Sequence, residues 1–130
     1  MTDRSRDWFA QAERDLELGR VANREGMHDW ACFAAQQSAE KAVKAIHLAS
    51  GQDVWGHVVR ELLEELHDDQ AVAFLDRARV LDGYYIPARY PNGHPSGASF
   101  EHYGKLQSEQ AIAYAQEIIE FARSRLAEKR

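Results

Sequence analysis

All three prolines of this 130-residue chain, Pro87, Pro91 and Pro95, fall within nine residues. Proline cannot donate a backbone hydrogen bond and disrupts a helix interior, so its confinement leaves the rest of the chain free for long helices. Gly83, Gly93, Gly97 and Gly104 flank or interrupt the same stretch. The pattern predicts a helix-rich chain with one long irregular segment at about 84–104. No segment alternates apolar and polar residues over the length of a strand, and no internal repeat or low-complexity tract is present.

Helical periodicity sets the remaining elements. Trp8, Phe9, Ala12, Leu16 and Gly19 mark a helix at about 4–25, with Gly26 at its C-terminal turn. A second at about 30–50 carries Trp30, Ala34, Ala42, Ala45, Ile46 and Ala49, with Asp29 as its expected N-cap and Gly51 ending it. Its alanines favour helix and permit a close neighbour. Val58, Val59, Leu62, Leu63 and Leu66 predict a helix at about 57–67; Ala71, Phe74, Leu75, Ala78 and Leu81 predict another at about 70–83, capped by Asp69. The clearest stripe, from Ala111 through Ile112, Ala115, Ile118, Ile119 and Ala122 to Leu126, predicts a last helix at about 105–128, with Ser108 as an alternative start. The expectation is all-α: one domain, 1–130, an antiparallel bundle of about five helices with one long loop before the last.

Composition narrows function. The net charge of −5 supplies no global basic field, so no DNA binding is expected and any RNA or phosphate contact must be local. Nothing approaches a membrane span. One cysteine, Cys32, excludes a disulfide framework, and with no export signal at the N-terminus it favours a reducing cytoplasm. Cys32, between Ala31 and Phe33, reads as a small buried hydrophobe. The metal, phosphate-loop and nucleophile-elbow motifs HExxH, CxxC, GxxxxGK[ST] and GxSxG are absent, and no cofactor is expected. Glu61, Glu64, Glu65, Asp68 and Asp69 crowd one short stretch and read as solvated surface, not as a metal site.

The 84–104 segment carries the chemistry. It holds four of the five tyrosines together with Arg89, His94, Phe100 and His102. An irregular segment this long in a compact chain is often functional. Arginine offers a planar fork for phosphate oxygens, tyrosine a face for a base, and histidine a proton acceptor or donor near neutral pH. Tyr84 and Tyr85 read as packing residues. Arg89, Tyr90 and His102 are candidate ligand contacts, and Lys44 is a candidate source of added charge, although Lys41 and Lys44 read first as a solvated helix face.

Two stretches carry a resemblance to a known family. Ala34-Ala35-Gln36-Gln37-Ser38-Ala39-Glu40-Lys41-Ala42-Val43-Lys44-Ala45 resembles the second helix of HEPN (higher eukaryotes and prokaryotes nucleotide-binding) domains. Tyr85-Ile86-Pro87-Ala88-Arg89-Tyr90-Pro91 resembles the junction before their last long helix, and Ala111 to Leu126 that helix itself. The likeness spans most of the chain, and the proline-bearing junction is its most specific part. It implies a helical bundle that commonly forms a homodimer. Many stand-alone members in bacteria and archaea pair with a small nucleotidyltransferase in toxin–antitoxin-like systems. Other members are metal-independent endoribonucleases carrying Arg, four to six residues, then His.

Arg89 and His94 fit that spacing, with four residues between them. Spacing alone selects poorly, because Arg60 and His67 fit it too. In the nuclease reading Arg89 would hold the phosphate and His94 would move the proton, with two copies supplying acid and base. Tyr90 stands where active ribonucleases often have a polar residue, and His94 lies in loop between Gly93 and Pro95. The leading expectation is a homodimeric nucleotide- or RNA-phosphate-binding component of a toxin–antitoxin-like pair. The alternatives are the Arg89–His94 ribonuclease and a non-catalytic interaction module. The isomer of the Tyr90–Pro91 bond is open at this level.

Overall fold

The computed structural model describes residues 3–128. Five α-helices run in order: α1 (Ser5–Arg24), α2 (His28–Ala49), α3 (Val59–Glu64), α4 (Leu75–Asp82) and α5 (Lys105–Glu128). No strand occurs among the described residues. The all-α bundle expected from the sequence is the fold observed.

The middle of the bundle belongs to α2. It packs along α1 and α5 and also touches α3, α4 and the loop before α5. Ala31, Ala35, Ala39, Ala42 and Ala45 are fully buried. Methyl-sized side chains let three neighbouring backbones approach one helix, which larger residues would hold apart. Leu16 from α1, Leu62 and Leu63 from α3, Leu81 from α4, and Ile118 and Ile119 from α5 close over it. Cys32 is sealed in this core, where burial pushes its thiol up to about 12 and removes it from nucleophilic chemistry at neutral pH.

The ends of α1 and α2 follow one device. Gly26 and Gly51 adopt φ of 78° and 79°. Met27 N–H then reaches back to the Ala22 carbonyl at 2.8 Å, and Gln52 N–H to that of His47 at 3.0 Å. Each glycine supplies the left-handed residue that such a helix end requires.

Other boundaries move. α2 starts at His28, so Asp29 lies in its first turn and is not its cap. The His28 ring instead meets Ser108 Oγ at 2.8 Å, tying α2 to α5. Ser108 is accordingly buried inside α5 and does not start it. The helix expected at 57–67 shortens to α3, and His67 at φ 52° marks the chain turning away. The helix expected at 70–83 begins as a 3-10 turn, Asp69–Phe74, before α4. Its cap is Asp68, not Asp69: the Asp68 carboxylate accepts the Gln70 N–H at 2.9 Å. The 84–104 segment is irregular apart from short 3-10 turns at Pro91–Gly93 and Ser99–His102. Every described peptide bond is trans, Tyr90–Pro91 included.

The acidic run is divided among ordinary surface roles. Glu64 pairs with Arg60 at 2.6 Å, and Asp68 takes a two-point contact from Arg125 of α5 at 2.5 and 3.2 Å. The Arg125 bond, with help from the Gln70 amide, holds the Asp68 carboxyl below its ordinary value of 3.8. Asp68→Ala is expected to cost about 1 kcal/mol at neutral pH, combining a lost cap with a lost, mostly covered ion pair. The depressed carboxyl contributes fully above 3.8 and loses its contribution as pH falls through its lower folded value. Urea unfolding of both proteins between neutral pH and pH about 2 should therefore show the difference shrinking in acid. A deficit that stays constant across that range would contradict the assignment.

Candidate functional site

The backbone of 86–90 makes one helical turn, with the Ile86 carbonyl accepting from Arg89 N–H at 3.0 Å and from Tyr90 N–H at 3.2 Å. This turn aims Arg89 back onto α2. Its Nε donates to the Tyr85 carbonyl at 2.8 Å. Its guanidinium carbon lies 4.3 Å from the Phe33 ring centre, 4.7 Å from Tyr85 and 5.0 Å from Tyr90. Cation–π attraction to three rings fixes the plane of the fork. The two Nη atoms make no hydrogen bond among the described residues, and neither is a buried orphan. Arg89 is thus half-buried, held by one nitrogen and open at the other two.

Tyr90, beside it, is 47% exposed and presents a free face. Phe33 forms the other side of the platform and also walls a groove of about 520 Å³ between α1 and α2, together with Leu18, Val21, Met27 and Trp30. Tyr85 completes the platform and packs against Phe33 at 6.1 Å between ring centres. Tyr84 turns the other way, into the core and against Tyr103, and burial pushes its hydroxyl up to about 12. Both tyrosines pack the segment onto the bundle.

His94 belongs to a neighbouring cluster. Its Nε2 lies 2.8 Å from the Pro87 carbonyl, and its ring stacks on His102 with centres 4.1 Å apart. His102 in turn meets the Ser96 carbonyl at 2.6 Å. The loop can fold back this far only because residue 93 is glycine: a Cβ there would sit 2.9 Å from Pro87 Cα. Arg89 and His94, five positions apart, share no hydrogen bond among the described residues. They sit on opposite sides of the Pro87-Ala88 pair in terms of partners: Arg89 with the α2 aromatics, His94 with Tyr103 and His102.

Lys44 corrects the expectation of a solvated face. It is 9% exposed, and its Nζ donates to Glu40 at 3.0 Å. Trp8 of α1 covers it, with Nζ 5.7 Å from the ring centre. Lys41 is partly covered too and pairs with Asp15 of α1 at 2.6 Å. Both lysine charges are therefore directed into neighbouring carboxylates.

Glu40 is a residue that residue-by-residue reading of the sequence passed over. It is 4% exposed on α2, yet it accepts from Lys44, from Gln36 Nε2 at 3.2 Å and from Gln37 Nε2 at 3.4 Å. Its two oxygens also lie 3.2 Å from His57 Nδ1. Gln36, fully buried, donates as well to the His57 carbonyl at 3.0 Å. The available signal was three polar residues, Gln36, Glu40 and Lys44, at helical spacing within an alanine-rich helix. The missing signal was His57, which comes from a different element and meets them only in the folded chain. His57 then stacks on Tyr85 with ring centres 4.6 Å apart, joining this network to the Arg89 platform.

A buried carboxylate stripped of one cationic donor is costly, and so is the cation left behind. Glu40→Ala is expected to destabilise by about 3 kcal/mol, and Glu40→Ala with Lys44→Ala by less than the single change. Urea unfolding of the two variants checks this; a double variant weaker than Glu40→Ala by a full further increment would contradict the coupling.

Comparison with known proteins bears on the family and the fold. The HEPN domain family's sequence profile matches residues 5–125. A protein of Methanocaldococcus jannaschii bearing the name "Putative toxin MJ1304" is 26% identical over 94% of this chain and 88% of its own length. Among solved structures, TT1696 from Thermus thermophilus superposes with a TM-score of 0.91 at 44% identity, covering 95% of this chain and 99% of that one. ST0689, an archaeal HEPN homologue, gives 0.83 at 36% identity over 96% and 99%. An HEPN domain protein from Thermotoga maritima gives 0.76 at 32% over 93% and 98%. The chain belongs to the HEPN domain family.

Proposed function

We propose that this chain is a nucleotide- or RNA-phosphate-binding component of a toxin–antitoxin-like pair. It acts as a homodimer with a nucleotidyltransferase-type protein as its counterpart. The observation that carries the reading is the Arg89 guanidinium, fixed by Phe33, Tyr85 and Tyr90 yet open at both Nη atoms. Two coplanar donors on a locked plane match two phosphate oxygens, and little side-chain freedom remains to be lost on binding. The exposed face of Tyr90 lies where a base attached to that phosphate could stack.

The name of the Methanocaldococcus jannaschii relative supports the toxin-like part of the reading. The apolar groove beside Phe33, with Trp30 51% and Met27 57% exposed, supports association through this face. No helix among the described residues is long and apolar enough to cross a membrane.

Titrating a fluorescent single-stranded RNA oligonucleotide into wild type and Arg89→Ala tests the site. The variant is expected to bind about tenfold more weakly or worse, the value of one lost charge-assisted contact, with an unchanged far-ultraviolet helical spectrum. Competition by inorganic phosphate and by a free mononucleotide separates a phosphate site from one needing the base. Equal affinity in the two proteins would remove Arg89 from the site.

A further inference from the structure

We propose that His57 is a positioning residue for the Arg89 phosphate site: anchored by the buried Glu40, it fixes the ring of Tyr85, and Tyr85 fixes the guanidinium. The inference rests on the Arg89 phosphate reading and adds to it the column of side chains that sets how firmly the fork is aimed.

Every link of the column is a direct contact. Glu40 is 4% exposed, and its two oxygens each lie 3.2 Å from His57 Nδ1. Gln36, fully buried, donates to the His57 carbonyl at 3.0 Å and holds the backbone of the α2–α3 connection. The imidazole stacks on the Tyr85 ring, with centres 4.6 Å apart and planes 16° apart. Tyr85 then meets Arg89 twice. Its carbonyl accepts from Nε at 2.8 Å, and its ring centre lies 4.7 Å from the guanidinium carbon.

Tyr85 is the link on which the column depends. Apart from Arg89, two rings meet it: Phe33, tilted by 38° with centres 6.1 Å apart, and His57, nearly parallel and closer. A near-parallel stack restrains the tyrosine plane far more than a distant tilted contact. Turning Tyr85 away would withdraw one of the three rings that lock the Arg89 plane, and a ligand would then have to order the fork itself. The His57 side chain is 54% exposed, so the connection alone would make it a loose support; Glu40 and Gln36 make it a firm one. Among the described residues it is the only histidine with a carboxylate partner. Its effect on binding passes through Tyr85 and Arg89, with no contact of its own to the ligand.

Two properties of the imidazole are therefore separable. The Nδ1 donor answers a buried carboxylate and serves stability. The flat ring faces Tyr85 and serves the aim of Arg89. Phenylalanine at 57 keeps the flat ring and lacks the donor; asparagine keeps an N–H donor and lacks the ring.

The test measures affinity for a fluorescent single-stranded RNA oligonucleotide and urea unfolding on the full chain, with the helical spectrum checked throughout. His57→Ala should bind about three- to tenfold more weakly, the value of one aromatic stack. His57→Phe should recover affinity to within about twofold of wild type while its urea midpoint stays as low as that of His57→Ala. His57→Asn should do the reverse, recovering the midpoint and not the affinity. Affinity that follows the urea midpoint across the three variants overturns the proposal, because a merely structural role predicts that, and so does unchanged affinity in His57→Ala. In an Arg89→Lys background, where no planar fork remains to be aimed, His57→Ala should change affinity by less than about twofold. A full further loss there gives His57 a ligand contact of its own and overturns the positioning role. Arg89→Ala binding as tightly as wild type, or no RNA binding by wild type, brings down the Arg89 reading and this inference with it; the expected Arg89 loss beside an unresponsive His57 series overturns this inference alone.

Discussion

A carboxylate buried against a helical bundle is expensive unless its lone pairs are answered, and Glu40 has that requirement met from two directions. Lys44, Gln36 and Gln37 answer it from the same helix. His57 answers it from the α2–α3 connection. The first three make the charge tolerable inside the protein. The fourth converts it into a structural instruction, because the connection must bring an imidazole to the buried oxygens. That places a histidine under Tyr85 and so beside the aromatic platform that carries Arg89.

The rest of the molecule serves this placement. Alanine-rich α2 can be surrounded by α1, α3, α4 and α5 because its side chains occupy little width. The proline-bearing segment is pinned to the bundle at Ala88, which is 1% exposed, and folded over at Gly93. Arg89 then has a fixed backbone and three aromatic neighbours, while its two Nη atoms make no hydrogen bond among the described residues and are the donors of the proposed phosphate contact. Rigid support with an open tip is what a binding group needs if ligand affinity is not to be spent on ordering the protein.

Much of this was legible in the sequence, for identifiable reasons. The stripe from Ala111 to Leu126 marks α5 because that helix lies against the core along one face. Gly26 and Gly51 mark helix ends because only a left-handed residue completes the turn. Arg89 stands out because the proline-rich junction isolates it. Other features arise only in three dimensions. Asp29 looked like a cap, but α2 begins earlier, where His28 finds Ser108 eighty residues away. Asp68, not Asp69, caps the turn before α4, and Arg125 of the last helix reinforces that choice. Lys44 looked solvated because its sequence neighbours include Lys41; Trp8 of α1 covers it and Glu40 takes its charge. His57 carried no local signal at all, since its partners lie on α2 and beyond α4.

The central claim is that Glu40 fixes the protonation geometry of His57. Nitrogen chemical shifts of the imidazole, recorded by NMR at alkaline pH on the full chain, report it directly. The account predicts a neutral His57 ring carrying its proton on Nδ1, with Nε2 bare, and a mixture of the two tautomers in Glu40→Gln. A proton on Nε2 in the wild type, or the same spectrum in both proteins, would contradict it.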